Sequence, residues 1–167
     1  PSSPVDGQEV YYVVDSTNKV VWHLRYNAGS GSSYKWEFVG GSPYIANQGG
    51  GTVSSGSPAN LGGPSFTLPR AGDYEIEFGF YAGYNGGAPG CGSAYGQLRV
   101  GGNTINTLGG VVRSGASGQP SFERRDSTAI RQNGAGASQV VDTRFYFNVG
   151  ECNESGERAG VSDIWLR

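Results

Sequence analysis

Aromatic and aliphatic residues in this chain alternate with polar ones over short runs, and turn-forming residues separate the runs. EVYYVV at 9–14 and KVVWHLRY at 19–26 flank the turn cluster Asp15-Ser16-Thr17-Asn18, which predicts a β-hairpin. On the second run Val20, Trp22, Leu24 and Tyr26 share one face, and Val21, His23 and Arg25 share the other. A third strand is expected at 34–39, where Tyr34, Trp36 and Phe38 alternate with Lys35 and Glu37. The strongest signal is DYEIEFGFY at 73–81. It places Tyr74, Ile76, Phe78 and Phe80 on a core face and Glu75, Glu77 and Gly79 on the other. Residues 139–149 form a second strong strand, with Phe145, Phe147 and Val149 inward and Arg144, Tyr146 and Asn148 outward. Further strands are expected at 65–68, 94–100, 111–113, 121–124, 128–131 and 160–167, with a short one near Thr52-Val53.

No segment carries helical periodicity or a capped helix start. Eight to ten strands therefore predict an all-β fold, an antiparallel two-sheet β-sandwich of jelly-roll type preceded by a short N-terminal β-meander. The expected division is a three-stranded meander at 1–41, a Gly/Ser/Pro-rich linker or loop at 42–64 and the sandwich at 65–167. A meander of this size buries little alone, so it is expected to pack on the rest or on another chain.

Composition sharpens this picture. Thirty of 167 residues are glycine and none is methionine; the chain begins with proline, so it is expected to be a piece of a longer protein. Aromatics reach 12% while charged residues are only 16% and the net charge is −2. That charge argues against non-specific nucleic-acid binding, which needs a basic face for the phosphates. No apolar run is long enough for a membrane span, so no membrane insertion is expected.

Catalytic chemistry has little to work with. The one histidine, His23, sits mid-strand between Trp22 and Leu24 with no nucleophile motif, and reads as a packing or surface residue. Glu75 and Glu77 stand roughly 7 Å apart on one strand face, a separation that suits paired carboxylates but more simply describes a solvated face. Asp163 interrupts an apolar closing strand and is expected to accept a backbone or arginine hydrogen bond. No metal site, cofactor or enzymatic activity is expected; the Gly-rich stretches lack the Gly-Lys-Ser/Thr of a phosphate loop.

One feature points to binding. Tyr81, Tyr84 and Tyr95 flank the Gly-rich loop at 83–92, with Asn85 beside them. Tyrosine rings and an amide next to flexible glycine could stack on a pyranose and bond its hydroxyls; the competing reading is that these tyrosines cap one end of the sandwich. Cys91 and Cys152, both in Gly-rich loops, form either one disulfide or two free thiols, and the sequence leaves both open.

The runs DGQEVYY (6–12), VWHLRY (21–26) and YKWEFVGG (34–41), at this spacing, resemble a module of minor tail proteins and tail fibres of tailed phages, particularly phages of actinobacteria. The resemblance covers about the first quarter of the chain; the Pro-x-x-Gly-Asp-Tyr opening of the remainder is similar to the β-sandwich that follows in such proteins. It implies an extracellular virion part at the tail tip or fibre end. It also implies a homotrimer, common among such parts, in contact with other tail proteins and a host cell-surface glycan. It implies no catalytic residue and supplies no binding motif, so Trp22, Trp36, Arg25 and Glu37 are expected to be architectural. The alternatives are a carbohydrate-binding module of a secreted bacterial enzyme, a virion decoration without ligand and, last, a depolymerase.

Overall fold

The computed structural model describes residues 1–54, 56–84, 91–113, 123–148 and 158–167. Their regular structure is entirely strand. β1 (Glu9–Asp15), β2 (Val20–Tyr26) and β3 (Trp36–Gly41) form a separate antiparallel sheet in that order, the predicted meander. Its first turn is built by Asp15, whose carboxylate accepts hydrogen bonds from the Thr17 amide (2.8 Å), the Asn18 amide (3.0 Å) and Asn18 Nδ2 (2.8 Å). These bonds, those from Asn18 first, hold the Asp15 carboxyl below the usual carboxylate range. They also fold the backbone so that Lys19 takes φ 57°.

The remaining strands are β4 (Ala46–Gln48), β5 (Gly51–Ser54), β6 (Phe66–Thr67), β7 (Gly72–Tyr84), β8 (Cys91–Val100), β9 (Asn103–Arg113), β10 (Glu123–Ala135), β11 (Val140–Asn148) and β12 (Arg158–Leu166). They make two antiparallel sheets. One runs β10-β7-β12, with β4 and β5 both pairing along the far side of β12; the other runs β6-β11-β8-β9. Counted from β5, the first sheet holds strands one, eight, three and six, and the second holds two, seven, four and five.

The two sheets close on the apolar rows that alternation predicted. Ile76, Phe78 and Phe80 of β7 meet Phe145 and Phe147 of β11, all buried. Burying each such side chain contributes about 1.5–3 kcal/mol. The Phe80 and Phe145 rings meet edge to face at 5.3 Å. Gly96 makes room for them: a Cβ there would lie 2.5 Å from Phe80 Cε1 and 2.9 Å from Phe145 Cε1. Tyr74 is only half-buried, because it faces the meander. Val149 lies outside the described residues.

Three expectations change. The 42–64 stretch does not serve only as a linker, since it supplies β4 and β5 to a sandwich sheet, and Ala59 bridges to Phe145 through two backbone hydrogen bonds (2.8 and 2.9 Å). β9 begins at Asn103 rather than near Val111. β10 is one strand across 123–135 where two short ones were expected. Its inward positions include Arg124, Asp126 and Thr128, and an ion pair between Arg124 and Asp126 occupies them. A polar inward row hides the apolar alternation that marks a strand.

Candidate functional site

The predicted sugar-reading tyrosines do not converge. Tyr81 points outward from the β10-β7-β12 sheet. The Arg125 guanidinium lies over its ring at 5.3 Å. A hydrogen bond to the Glu123 carboxylate holds the Tyr81 phenol above its ordinary pKa. Tyr84, three residues further along β7, falls on the core side and meets Phe147 edge to face at 6.4 Å. Tyr95 points out of the opposite sheet and stacks on Tyr146 at 4.9 Å. Asn85 and Cys152 lie outside the described residues, as does the side chain of Cys91.

The structure instead forms a cleft of about 450 Å³ where the meander meets the sandwich. Hydrogen bonds and ring contacts fix the meander there. Tyr12 donates its hydroxyl to the Pro69 carbonyl at 3.3 Å, the Arg70 guanidinium lies over the Tyr12 ring at 5.9 Å, and Ser32 Oγ donates to Asp73 Oδ2 at 2.7 Å. Trp22 sits 6.2 Å from Tyr74 between the two units.

The two walls differ in chemistry. The meander wall is aromatic: Trp22 and Phe38 meet edge to face at 6.3 Å, and Trp36 packs against Tyr26 at 5.4 Å. Phe38 remains 55% exposed, a large apolar ring facing the opening. The sandwich wall is charged, and carries Asp73, Glu75, Glu77, Arg131 and Arg167. Glu77 pairs with Arg167 at 3.1 Å and Asp73 lies 3.9 Å from Arg131. Ring faces opposite fixed donors and acceptors suit a ligand with one apolar face and a rim of hydroxyls. Tyr74, at the base, donates to the Arg70 carbonyl at 2.6 Å, and burial raises its pKa, so it stays a neutral donor.

The other sequence candidates have ordinary surroundings. His23 Nε2 lies 2.9 Å from Glu9 Oε2, and its ring stacks on Tyr11 at 4.7 Å, on the meander face turned away from the cleft. Arg25 pairs with Glu37 at 3.7 Å across β2 and β3; both groups are partly exposed, which keeps the contribution of the pair small. Asp163 accepts from Arg125 at 3.2 Å, as its position in the closing strand led one to expect. Among the described residues no group of three or more His, Cys, Asp or Glu side chains is placed to hold a metal ion.

Asp73 makes the docking of the meander sensitive to acid. Hydrogen bonds from Ser32 and from the Gly134 amide, and to a lesser degree the Arg131 charge, hold its carboxyl below the usual carboxylate range, against the opposing effect of desolvation. A carboxyl depressed in the folded state stabilises that state above its unfolded pKa, and the contribution fades as pH falls through the folded value, here below about pH 4. Amide hydrogen exchange at Ser32 and Gly134 should therefore quicken below about pH 4 relative to the core strands. In Asp73→Asn that acid-dependent step should be absent.

An all-β sandwich with a three-stranded sheet docked against one end, and an aromatic cleft at the join, is the class of protein this arrangement defines. No family model and no curated protein matches the chain.

Proposed function

We propose that this chain is a structural and receptor-binding module of a phage tail, placed at the tail tip or fibre end, and that its cleft holds carbohydrate of the host surface. The observation that carries the binding part is the pairing of the Trp22–Phe38 wall with a wall of carboxylates and guanidinium groups around a space large enough for a small sugar. The virion part rests on the DGQEVYY, VWHLRY and YKWEFVGG runs, which form most of the meander and hence one whole wall of the cleft. The strand order one-eight-three-six against two-seven-four-five supports a jelly roll, an architecture used by viral capsid and lectin domains. In this reading the module acts as a homotrimer among other tail proteins. Three weak sugar sites on one rigid body gain affinity through avidity. The role is binding, with no catalytic step.

The test is adsorption of the purified chain to actinobacterial cells, with and without competing wall polysaccharide, alongside sedimentation. Saturable adsorption that the polysaccharide displaces, by a trimeric species, is the expected result. Adsorption indifferent to polysaccharide would overturn the carbohydrate reading, and a monomer at micromolar concentration would overturn the trimer.

A further inference from the structure

The charged wall of the cleft does not end at the cleft. Glu75 and Glu77 belong to the outward row of β7, which continues through Gly79 to Tyr81, while Ile76, Phe78 and Phe80 face the core. At about 3.3 Å per residue, the row from Glu75 to Tyr81 spans roughly 20 Å. The neighbouring strand β12 supplies the other side of the path. Arg167, which lines the cleft, pairs with Glu77; Trp165 lies opposite Gly79; and Ser162 lies opposite Tyr81.

Two local features put an aromatic surface on this path. The first is a β-bulge between Ser162 and Trp165, where Asp163 takes φ 47°. Strict alternation from an outward Ser162 would turn residue 165 into the core. The extra residue reverses the parity, so that Ile164 and Leu166 are buried and Trp165 faces out. A non-glycine residue in the left-handed region is an unfavourable backbone state, and here it re-aims a tryptophan onto a surface. The second is Gly79. A Cβ at that position would lie 2.5 Å from Trp165 Nε1, 2.6 Å from Cε2 and 2.7 Å from Cζ2, so the indole rests directly on the β7 backbone. Beyond it, Tyr81 is flanked by Arg125, which pairs with Asp163.

We infer that the outward row of β7 and β12, from Glu77 and Arg167 past Trp165 to Tyr81, is a second subsite that continues the cleft, so that the ligand is an extended oligosaccharide rather than a single terminal sugar. This inference rests on the carbohydrate reading of the cleft and extends it. The path alternates as a sugar chain requires. Charged groups at Glu77 and Arg167 can bond hydroxyls, the Trp165 indole offers an apolar surface, and Ser162, Arg125 and Asp163 are hydrogen-bonding groups around Tyr81. Continuity with the cleft also fixes the direction of the chain, along β7 away from the meander.

Size-fractionated oligosaccharides, released by partial acid hydrolysis from actinobacterial wall polysaccharide, separate the two subsites when titrated into the whole chain by calorimetry. Long fragments should bind more tightly than fragments of two or three units. Trp165→Ala and Tyr81→Ala should each weaken long-fragment binding by about tenfold and leave short-fragment binding unchanged. Tyr81 is on the surface, so its variant serves even if Trp165→Ala disturbs the sheet. Short and long fragments binding alike, or both variants matching the parent on long fragments, would overturn the extended subsite while leaving the cleft standing. Binding of neither fragment by the unaltered chain would overturn the cleft and the extension together.

Discussion

Phe145→Ala is expected to remove about 3–5 kcal/mol of folding stability, a large share of the 5–15 kcal/mol typical of a domain. Phe145 is fully buried, lies edge to face with Phe80, and occupies the space over Gly96 that the missing Cβ leaves. Truncation removes the ring from a site walled by β-strand backbone on both sheets, which has little freedom to collapse. Chemical denaturation followed by tryptophan fluorescence measures the loss. Phe145→Leu, which keeps more of the volume, should lose less. Gly96→Ala should be costly in the parent, where the new methyl meets both rings, and less so in the Phe145→Ala background; the difference is a coupling that a double-mutant cycle reads directly. Additive effects would mean that the two positions do not share a packing site.

Trp22→Ala is expected to lower adsorption to host cells by about thirtyfold, the loss of roughly 2 kcal/mol that a central aromatic anchor commonly supplies. Trp22 touches Tyr12 at 6.4 Å, Phe38 at 6.3 Å and Tyr74 at 6.2 Å, so one ring joins both walls of the cleft. Unfolding of the sandwich core should change little, since Trp22 contributes nothing to the Phe78–Phe145–Phe147 cluster. Trp22→Phe should retain part of the adsorption. A Trp22→Ala variant that adsorbs like the parent would rule out the cleft as the receptor site.

The strands easiest to find in the sequence were those with one wet and one dry face. β1, β2, β3, β7 and β11 carry aromatic or aliphatic residues at most alternate positions, and all are present close to the expected bounds. β4 carries only Ala46, Asn47 and Gln48, and it exists because β12 offers it an edge. No local pattern records a partner so distant in sequence. β9 and β10 show only fragments of the pattern, for a different reason. Their inward rows mix glycine, threonine and paired charges with the apolar residues, which satisfy a sheet without displaying alternation.

The site divides in the same way. That Glu75, Glu77 and Tyr81 share a face follows from parity along one strand. The same parity separates Tyr84 from Tyr81. The assignment of Tyr95 to the opposite sheet depends on long-range pairing and has no local signature. Trp22 and Trp36, expected to be architectural, do pack, Trp22 on Tyr12 and Trp36 on Tyr26. Their second role, as a wall, arises only once the meander is turned toward Asp73 and Tyr74, an orientation set by the bonds of Tyr12 and Ser32 to the sandwich.

Strand β5 pairs with β12 near the opposite end of the chain, Gly51 against Val161 and Ser54 against Arg158. The meander closes through neighbours a few positions away. The two parts should therefore assemble on different clocks. Hairpins of the first kind zip within microseconds, whereas sheets knitted from remote segments wait for most of the polymer to find its place and take milliseconds or longer. A nascent chain would thus sample the small ribbon early, while its larger partner is still searching, and the groove that holds the ribbon in place would be the last thing made.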